Sequence, residues 1–413
     1  MRGSCRGCSG KNLVELVDLG SQPIAHRLLS SPEEKEFLHP LAVHYCGTCG
    51  LGQICDPVDP EELYRDYNYC FSSWKPQPHI VDEADMICSQ TQRHSAFEVG
   101  CNDGLFLDLL SKRGVKTLAG VEPNPFASQL AREKGFRVYT DWLSEPVCQQ
   151  ALAEFSGFET VVARQVLEHI ADIDGFFACV DRLLIPDGFV LIELPEIETA
   201  LSMGDGSFVW EEHVNYFTEP VIRGMLRHYG YEPIVSRRYD FSGVSIAVLA
   251  RRTQVRAATW GLQPLSGHAV TFSQKLSGYG TLLRETLGAA RDRGFLVVLY
   301  GVGCRACTVV NGLGLRPAID FAVDDRSERQ HKYMPGSRLP IRSPQALRDR
   351  VGPILCLLAV NQESESAVKA NLSSHTDQPV ECISLFSPND IWLELERARR
   401  RLGLQTVIET GKR

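Results

Sequence analysis

The sequence lacks the long apolar segments of membrane-spanning and secreted proteins, and it lacks the clustered basic residues of nucleic-acid binders. No apolar run approaches the roughly 18 residues of a membrane span, and the N-terminal Met1–Cys5 carries no apolar signal core. Acidic residues (51) outnumber basic ones (43), the net charge is −8, and the basic residues form no stripe. Nucleic-acid binders usually present clustered positive charge. We therefore expect a cytoplasmic protein without a membrane or nucleic-acid partner.

The composition is that of an ordinary globular protein, with 44% hydrophobic and 23% charged residues. At roughly 100–200 residues per domain, 413 residues suggest two to four domains. Short apolar runs alternate with amphipathic segments over 95–252 and again from 295, which predicts two Rossmann-like α/β domains. We expect an N-terminal module over 1–75, an α/β domain over 76–252, a helical linker over 253–294 and a second α/β domain over 295–413.

Four of the 14 cysteines form two Cys-x-x-Cys pairs, Cys5/Cys8 and Cys46/Cys49. Each such turn offers two thiolates, and two turns complete the tetrahedral set that zinc prefers. A redox role is less suitable because the thioredoxin-type pair occurs singly at a strand–helix junction. The sequence therefore predicts a structural Zn²⁺ site in a module with little core of its own. Cys304 and Cys307 lack a partner pair, and we interpret them as incidental.

A second motif, Glu98-Val-Gly100-Cys-Asn102-Asp103-Gly104, follows a predicted strand and opens a predicted helix. A dinucleotide site would want a third glycine so that the backbone approaches a pyrophosphate. Its middle position is Asn102, which favours S-adenosylmethionine (SAM), a cofactor without phosphates. An NAD dehydrogenase and a nucleotide-free α/β domain are the alternatives.

Further polar residues follow the successive predicted strands. Glu122 is expected on the ribose hydroxyls, Asp141 and Trp142 beside the adenine, and the segment Arg164–His169 facing the sulfonium. A tight turn is expected at Leu184–Gly188 before the fifth strand. The residues assigned to the cofactor are Glu98, Gly100, Asn102, Asp103, Gly104, Glu122, Asp141, Trp142 and Gln165.

In this order, the zinc module, the SAM domain and the second α/β domain resemble the deoxysugar C-methyltransferases over essentially the whole chain. That family adds a methyl group to C-3 of nucleotide-linked 4-keto-6-deoxy sugars. Besides the cysteine pairs and the Glu98–Gly104 loop, the residues that match its motifs are Tyr67, Asn68, Tyr69, Ser72, Ser73, His169, Glu212 and His213. The chain departs from the family at Trp210, where a tyrosine is usual. It also departs at Phe241-Ser242-Gly243, which replaces His-Gly-Gly, and at Ile246, near the family's arginine.

The resemblance implies an enolate mechanism in which His213 removes a proton, Glu212 orients it and His169 is a donor or second base. It also implies a nucleotide-linked sugar as the small-molecule partner, and we expect a monomer or weak dimer. The loop Gly301–Gly303 and Arg305 would then help to hold the nucleotide, although a purely structural cap is also open. A methyltransferase acting on oxygen or carbon of another metabolite, and a non-catalytic protein that retains the fold, are the alternatives.

Overall fold

The computed structural model describes residues 3–64, 78–253, 255–257, 266–348 and 350–404. Within these ranges it has three sheets connected by helices, which confirms the predicted α/β class. The motif residues Tyr67, Asn68, Tyr69, Ser72 and Ser73 lie outside the described residues. Among the described residues, no helix has the length and apolar composition needed to cross a membrane.

The N-terminal module is built on an antiparallel sheet followed by one short helix. Its elements are β1 (Leu13–Pro23), β2 (Leu38–Cys46), β3 (Gly52–Ile54) and α1 (Pro60–Leu63). A fourth strand, Asn215–Tyr216, comes from the central domain and pairs with β3. A Cβ on Gly52 would lie only 3.0 Å from Cβ of Tyr216, so the two chains approach as closely as glycine allows. The module and the central domain therefore share one sheet, and the boundary at residue 75 stays a prediction.

The central domain is a doubly wound sheet. Its elements are α2 (Pro78–Gln90), β4 (Ser95–Val99), α3 (Leu105–Lys112), β5 (Thr117–Val121), α4 (Pro125–Glu133), β6 (Arg137–Tyr139), α5 (Glu145–Glu154), β7 (Phe158–Arg164), α6 (Ile173–Leu183), β8 (Leu184–Pro195), α7 (Glu198–Met203), β9 (Asn215–Tyr216), α8 (Glu219–His228), β10 (Tyr231–Tyr239) and β11 (Ser245–Arg252). The strand order is β10-β11-β8-β7-β4-β5-β6, in which β11 runs antiparallel to both of its neighbours, β10 and β8, and the other pairs are parallel. The winding reverses between β4 and β7, the place where such sheets bind ligands.

One predicted turn takes a different form. The segment Leu184–Gly188 belongs to β8, and its irregularity is a break in register opposite Phe158–Thr160, with Asp187 at a φ of 59°. The prediction of a tight turn before the strand is therefore wrong, because these residues already belong to β8. A bulge absorbs the extra residues without ending the ladder.

The C-terminal part begins with a long helix and continues as a parallel sheet. Its elements are α9 (Gly267–Asp292), β12 (Leu296–Tyr300), α10 (Cys304–Gly312), β13 (Phe321–Val323), β14 (Ile341–Arg342), β15 (Ile354–Leu358), α11 (Gln362–Ser374), β16 (Val380–Ser384) and α12 (Ile391–Arg401). The strand order is β14-β13-β12-β15-β16, with every pair parallel. The two-residue β14 was not predicted, because so short a strand carries no periodicity.

A single apolar cluster joins the N-terminal sheet to α9 and the C-terminal sheet. Val43 on β2, Phe272 on α9 and Leu299 on β12 all belong to it and are fully buried. The sequence predicted a module with little core of its own. In the structure, the module packs into a core that the other parts of the chain supply. Burial on this scale fixes the module against the rest of the chain.

Candidate active site

The four predicted zinc ligands come together. Cys5 and Cys8 precede β1, Cys46 ends β2 and Cys49 lies in the turn that follows. The Sγ atoms of Cys5 and Cys49 are 3.5 Å apart, those of Cys8 and Cys46 are 3.6 Å apart, and all four lie within 4.8 Å of one another. Tetrahedral Zn–S bonds of about 2.3 Å place neighbouring sulfurs about 3.8 Å apart, so the thiols fit a zinc ion. Four protein ligands would leave no open position for catalysis.

The predicted cofactor loop connects β4 to α3 through left-handed residues. Gly100, Asn102 and Gly104 have φ values of 68°, 46° and 75°. A Cβ on Gly100 would lie 2.8 Å from Cγ2 of Val166, so the loop passes directly against the segment that follows β7. The loop therefore lies at the sheet's winding reversal, where the first glycine is required by space as well as by φ.

Glu122, at the end of β5, holds this loop in place. Its carboxylate accepts the backbone N–H of Asn102 at 2.9 Å and that of Asn124 at 2.8 Å. Burial raises the pKa of Glu122 above its usual value. A carboxylate offers about four lone-pair sites, so two bonds leave capacity for the hydroxyls of a ribose.

Glu98, on β4, is 3% exposed, and burial raises its pKa to about 8. Its Oε2 is buried, and no donor among the described residues reaches it. A buried carboxylate oxygen without a donor is costly. The amino group of a methionine moiety is the kind of partner that this atom lacks, so the residues present fit SAM.

The other predicted cofactor residues are placed differently from one another. Asp103 is fully buried, and its backbone oxygen accepts Nζ of Lys134 at 2.6 Å. Asp141 is exposed, and the ring of Trp142, 54% exposed, lies 5.8 Å from that of Tyr64. The Gln165 side chain points away from solvent and donates to Glu193 and to Ser245 at 3.0 and 3.1 Å. Only its backbone, with a φ of 53°, follows the edge where the cofactor loop lies.

The imidazole rings of the two predicted catalytic histidines, His169 and His213, contact each other. His169 lies in a 3₁₀ turn after β7 and His213 in the loop before β9, and their ring centroids are 4.9 Å apart in a T-shaped contact. Burial lowers the pKa of His169 and lowers that of His213 well below its usual value. The indole of Trp210 packs on His213 with ring centroids 3.8 Å apart. Both imidazoles are therefore neutral at neutral pH.

Glu212 does not face the histidine that it was expected to orient. Its Oε1 lies 3.0 Å from Nδ1 of His26 in the N-terminal module, and its backbone oxygen accepts Nδ1 of His169 at 2.8 Å. No hydrogen bond to the ring nitrogens of His213 forms among the residues that the structure describes. Glu212 thus hydrogen-bonds to His169 through its carbonyl and contacts the module through its carboxylate, whose charge also acts on His169.

Two residues at this site, His26 and Tyr64, were not predicted from the sequence, and Glu168 was expected only as part of the segment Arg164–His169. His26 pairs with Glu212, the hydroxyl of Tyr64 lies 3.3 Å from Nδ1 of His169, and Oε1 of Glu168 lies 3.9 Å from Nε2 of His169. Both oxygens of Glu168 are buried without a hydrogen-bond partner in the described ranges. Its position beside His169 was a signal that could have found Glu168. His26 and Tyr64 lie far away in sequence and carry no such signal.

A small pocket lies beside His213. Its lining comes from the central domain (Trp210, His213 and Tyr216 among others) and from the C-terminal part through Arg305 and Ser387. Arg305 donates to Ser207 Oγ at 2.7 Å and to the backbone oxygen of Ser387 at 3.2 Å. The guanidinium therefore fastens the C-terminal sheet to the central domain at the edge of the pocket.

Comparisons with known families cover each part of the chain. Residues 5–64 match the family model of a zinc binding domain, 81–236 that of a methyltransferase domain, and 251–380 that of a C-methyltransferase C-terminal domain. The chain is a SAM-dependent methyltransferase. This confirms the predicted enzyme class, with SAM and zinc as its cofactors, over a non-catalytic binding protein.

Individual proteins similar to this methyltransferase include the C-methyltransferase NovU of Streptomyces niveus. The two are 26% identical over 380 residues, which cover 87% of this chain and 90% of NovU. The ubiquinone biosynthesis O-methyltransferase of Methylocella silvestris is 30% identical over 94 residues, 22% of this chain and 36% of that protein. Among solved structures, the 1,6-didemethyltoxoflavin-N1-methyltransferase of Burkholderia thailandensis has 18% identity and a TM-score of 0.37, covering 49% of this chain and 95% of its own.

Proposed function

We propose that this methyltransferase transfers a methyl group to carbon, at C-3 of a nucleotide-linked 4-keto-6-deoxy sugar, by way of an enolate. The observation that carries the proposal is the contact between His213, which is buried and lines a pocket at the carboxyl ends of the strands, and the half-buried imidazole of His169. The match of the C-terminal part to C-methyltransferases and the similarity to NovU support carbon as the acceptor.

Methylation at carbon needs a base because a C–H group is not itself a nucleophile. A carbonyl group next to the target carbon acidifies its proton, and removal of that proton gives an enolate. Because burial lowers the pKa of His213, its imidazole is unprotonated at neutral pH and can accept the proton. Bound SAM supplies an electrophilic methyl group on its sulfonium.

His169 suits the role of a second base better than that of a donor. The carbonyl oxygen of Glu212 can only accept, so the Nδ1 atom of His169 that contacts it at 2.8 Å carries the hydrogen. In the neutral ring the Nε2 atom then presents a lone pair. The phenol of Tyr64, 3.3 Å from the same Nδ1, is a hydroxyl that can donate to the enolate oxygen. Tyr64 would thus supply the phenol that Trp210 cannot.

The cofactor and substrate would occupy neighbouring sites. We assign SAM to the loop Gly100–Gly104, with Glu98 on its amino group and Glu122 on its ribose. We assign the sugar to the pocket beside His213, between the central and C-terminal parts. The nucleotide would extend over the C-terminal part, where Arg305 shapes the pocket edge through its contacts with Ser207 and Ser387.

The test is product analysis with SAM and 4-keto-6-deoxyglucose linked in turn to thymidine, uridine and guanosine diphosphate. We expect one of these substrates to gain a single methyl group, which NMR places on C-3. In heavy water without SAM, the C-3 proton should exchange with the wild-type enzyme and not with His213→Gln. A methyl group found on oxygen, or transfer only to metabolites that are not ketosugars, would replace the proposal with the alternative methyltransferase.

A further inference from the structure

We propose that the zinc module positions the two imidazoles of the active site, and that Arg6, between the zinc-binding Cys5 and Cys8, is the positioning residue that connects them. The inference rests on the proposed function for the roles of His169 and His213. It goes beyond that function by assigning the module a part in turnover, in addition to its part in folding.

Arg6 reaches from the cysteine pair to the segment that follows His213. Its Nη1 donates to the backbone oxygen of Val214 at 2.9 Å and lies 3.5 Å from Oδ1 of Asn215. Its Nη2 donates to the backbone oxygen of Ile54, and the backbone N–H of Ile54 donates to the same Val214 oxygen at 3.0 Å. One guanidinium thus joins β3 to the chain on the C-terminal side of His213 with charge-assisted bonds.

Asn215 carries this connection on to the second imidazole. Its side-chain Nδ2 donates to the backbone oxygens of Leu167 and Ile170 at 3.1 and 2.7 Å. These two residues bracket the 3₁₀ turn that contains His169. Asn215 is 1% exposed, so solvent cannot replace these bonds. The carboxamide therefore sets the distance between His169 and His213, and Arg6 and the β3–β9 ladder fix the carboxamide.

The module also holds the other side of His213. The backbone N–H of Ala25 donates to Oε1 of Glu211 at 2.6 Å, and Nδ1 of His26 lies 3.0 Å from Oε1 of Glu212. Contacts from the module therefore lie immediately before and immediately after His213. A module that served only for folding would not have to bind the residues on both sides of His213 in another domain.

Zinc binding is linked to these contacts through the backbone of Arg6. Cys5 and Cys8 flank this residue, so an ion bound to their thiols fixes the turn from which the Arg6 side chain extends. The backbone N–H of Arg6 also donates to Oε1 of Gln53 at 2.9 Å, and Gln53 pairs with Asn215 in the sheet. A misplacement of about 1 Å at catalytic groups can lower a rate by about 10²-fold.

The test compares Arg6→Met and Arg6→Lys with the wild type and with Lys11→Met. Lys11 is a suitable control because it is an exposed cation of the same module, and its side chain makes no hydrogen bond or ion pair to the His213 loop within the described ranges. For each variant we would measure zinc content, unfolding temperature, affinity for S-adenosylhomocysteine (SAH), kcat and KM. Spectra of nitrogen-labelled histidine would report the tautomer of His169 without any turnover.

For Arg6→Met we expect kcat to fall about 10- to 100-fold, with SAH affinity and zinc content within about twofold of the wild type. The His169 signals should also shift, because the bond from Nδ1 to Glu212 depends on the same loop. Arg6→Lys should recover part of kcat, and Lys11→Met should change neither kcat nor the signals.

Unchanged histidine spectra in Arg6→Met, or an equal loss of kcat in Lys11→Met, would overturn the inference. If no ketosugar is methylated even by the wild type, the proposed function fails by itself. The histidine spectra still decide whether Arg6 positions the imidazoles, so the two failures are distinguishable.

Discussion

Glu122 allows the cofactor site to be tested with a single side-chain change. In Glu122→Gln the side chain keeps its shape but has only one acceptor oxygen, whereas the carboxylate accepts two backbone N–H groups, at 2.9 and 2.8 Å. The new amide must turn its NH₂ group toward Asn102 or Asn124, which leaves a buried donor without an acceptor. A hydrogen bond to a charged group contributes about 1.5–3 kcal/mol, so one lost ribose contact should weaken SAH binding roughly 10- to 150-fold.

The assay is titration calorimetry with SAH on the wild type, Glu122→Gln, Glu122→Ala and the control Glu133→Gln. Glu133 lies on the exposed face of α4 and bonds only to Gln129 among the described residues, so its variant should bind SAH like the wild type. The unfolding temperature should fall in both Glu122 variants because at least one of the bonds from Asn102 and Asn124 is lost. Equal SAH affinity in all four proteins would refute the placement of the cofactor on Glu122.

Three further predictions concern zinc and the titrating groups. Metal analysis should find one zinc ion per chain, and replacing Cys46 with serine should remove it and lower the unfolding temperature; full occupancy in that variant would contradict the four-cysteine site. Removal of a general base typically costs about 10²- to 10⁴-fold in rate, so His213→Gln should lose that much kcat at unchanged SAH affinity, and a smaller loss would assign proton removal to another group. Burial raises the pKa of Glu98 to about 8, so below that pH the carboxyl group must lose its proton before it can bind an ammonium group. SAH affinity measured by calorimetry should therefore rise with pH toward 8. An affinity that does not change with pH would place the amino group elsewhere.

The lowered pKa values of His169 and His213 also set the sign of a stability change. Each group binds a proton less tightly in the folded state than in the unfolded state. Their contribution to stability is therefore complete above the unfolded pKa of about 6.5 and decreases as the pH falls below it. On the same grounds, the acid limb of kcat/KM should lie below pH 6.5 if His213 is the base.

The parts of the fold that the sequence predicted are those encoded over short distances. The strands β4, β5 and β6 lie within the predicted α/β stretch 95–252, because each is a compact apolar run between turn residues. The site loops followed from the strands, since the carboxyl ends of parallel strands meet at one edge. The cysteine pairs were visible because Cys-x-x-Cys has few other uses in such a module. Which of these residues bind the cofactor or act in catalysis remains a prediction.

What the sequence could not predict depends on contacts between distant segments. His26 and Glu212 are 186 residues apart, and Arg6 and Val214 are 208 apart. Nothing in the pattern around His26 marks it as different from a surface histidine in a loop. Arg305 is a case in which the local sequence suggested a contact that the structure does not show. Its place after a glycine-rich loop suggested that it would hold the nucleotide, whereas its guanidinium donates hydrogen bonds to Ser207, Asn361 and Ser387.

The pairing of Glu212 explains why adjacency in sequence was misleading at this site. Neighbouring residues outside a tight turn direct their side chains to different sides of the chain, so a Glu-His pair cannot in general form its own hydrogen bond. Here His213 faces the pocket and Glu212 faces the module, where His26 meets it. The carboxylate therefore stabilises the interface on which the position of His213 depends, and the hydrogen bond from Glu212 to the imidazoles is made by its backbone oxygen, on His169. A substitution of Glu212 should consequently resemble one of His26 in its effect on kcat, because both would release the same flank of the loop.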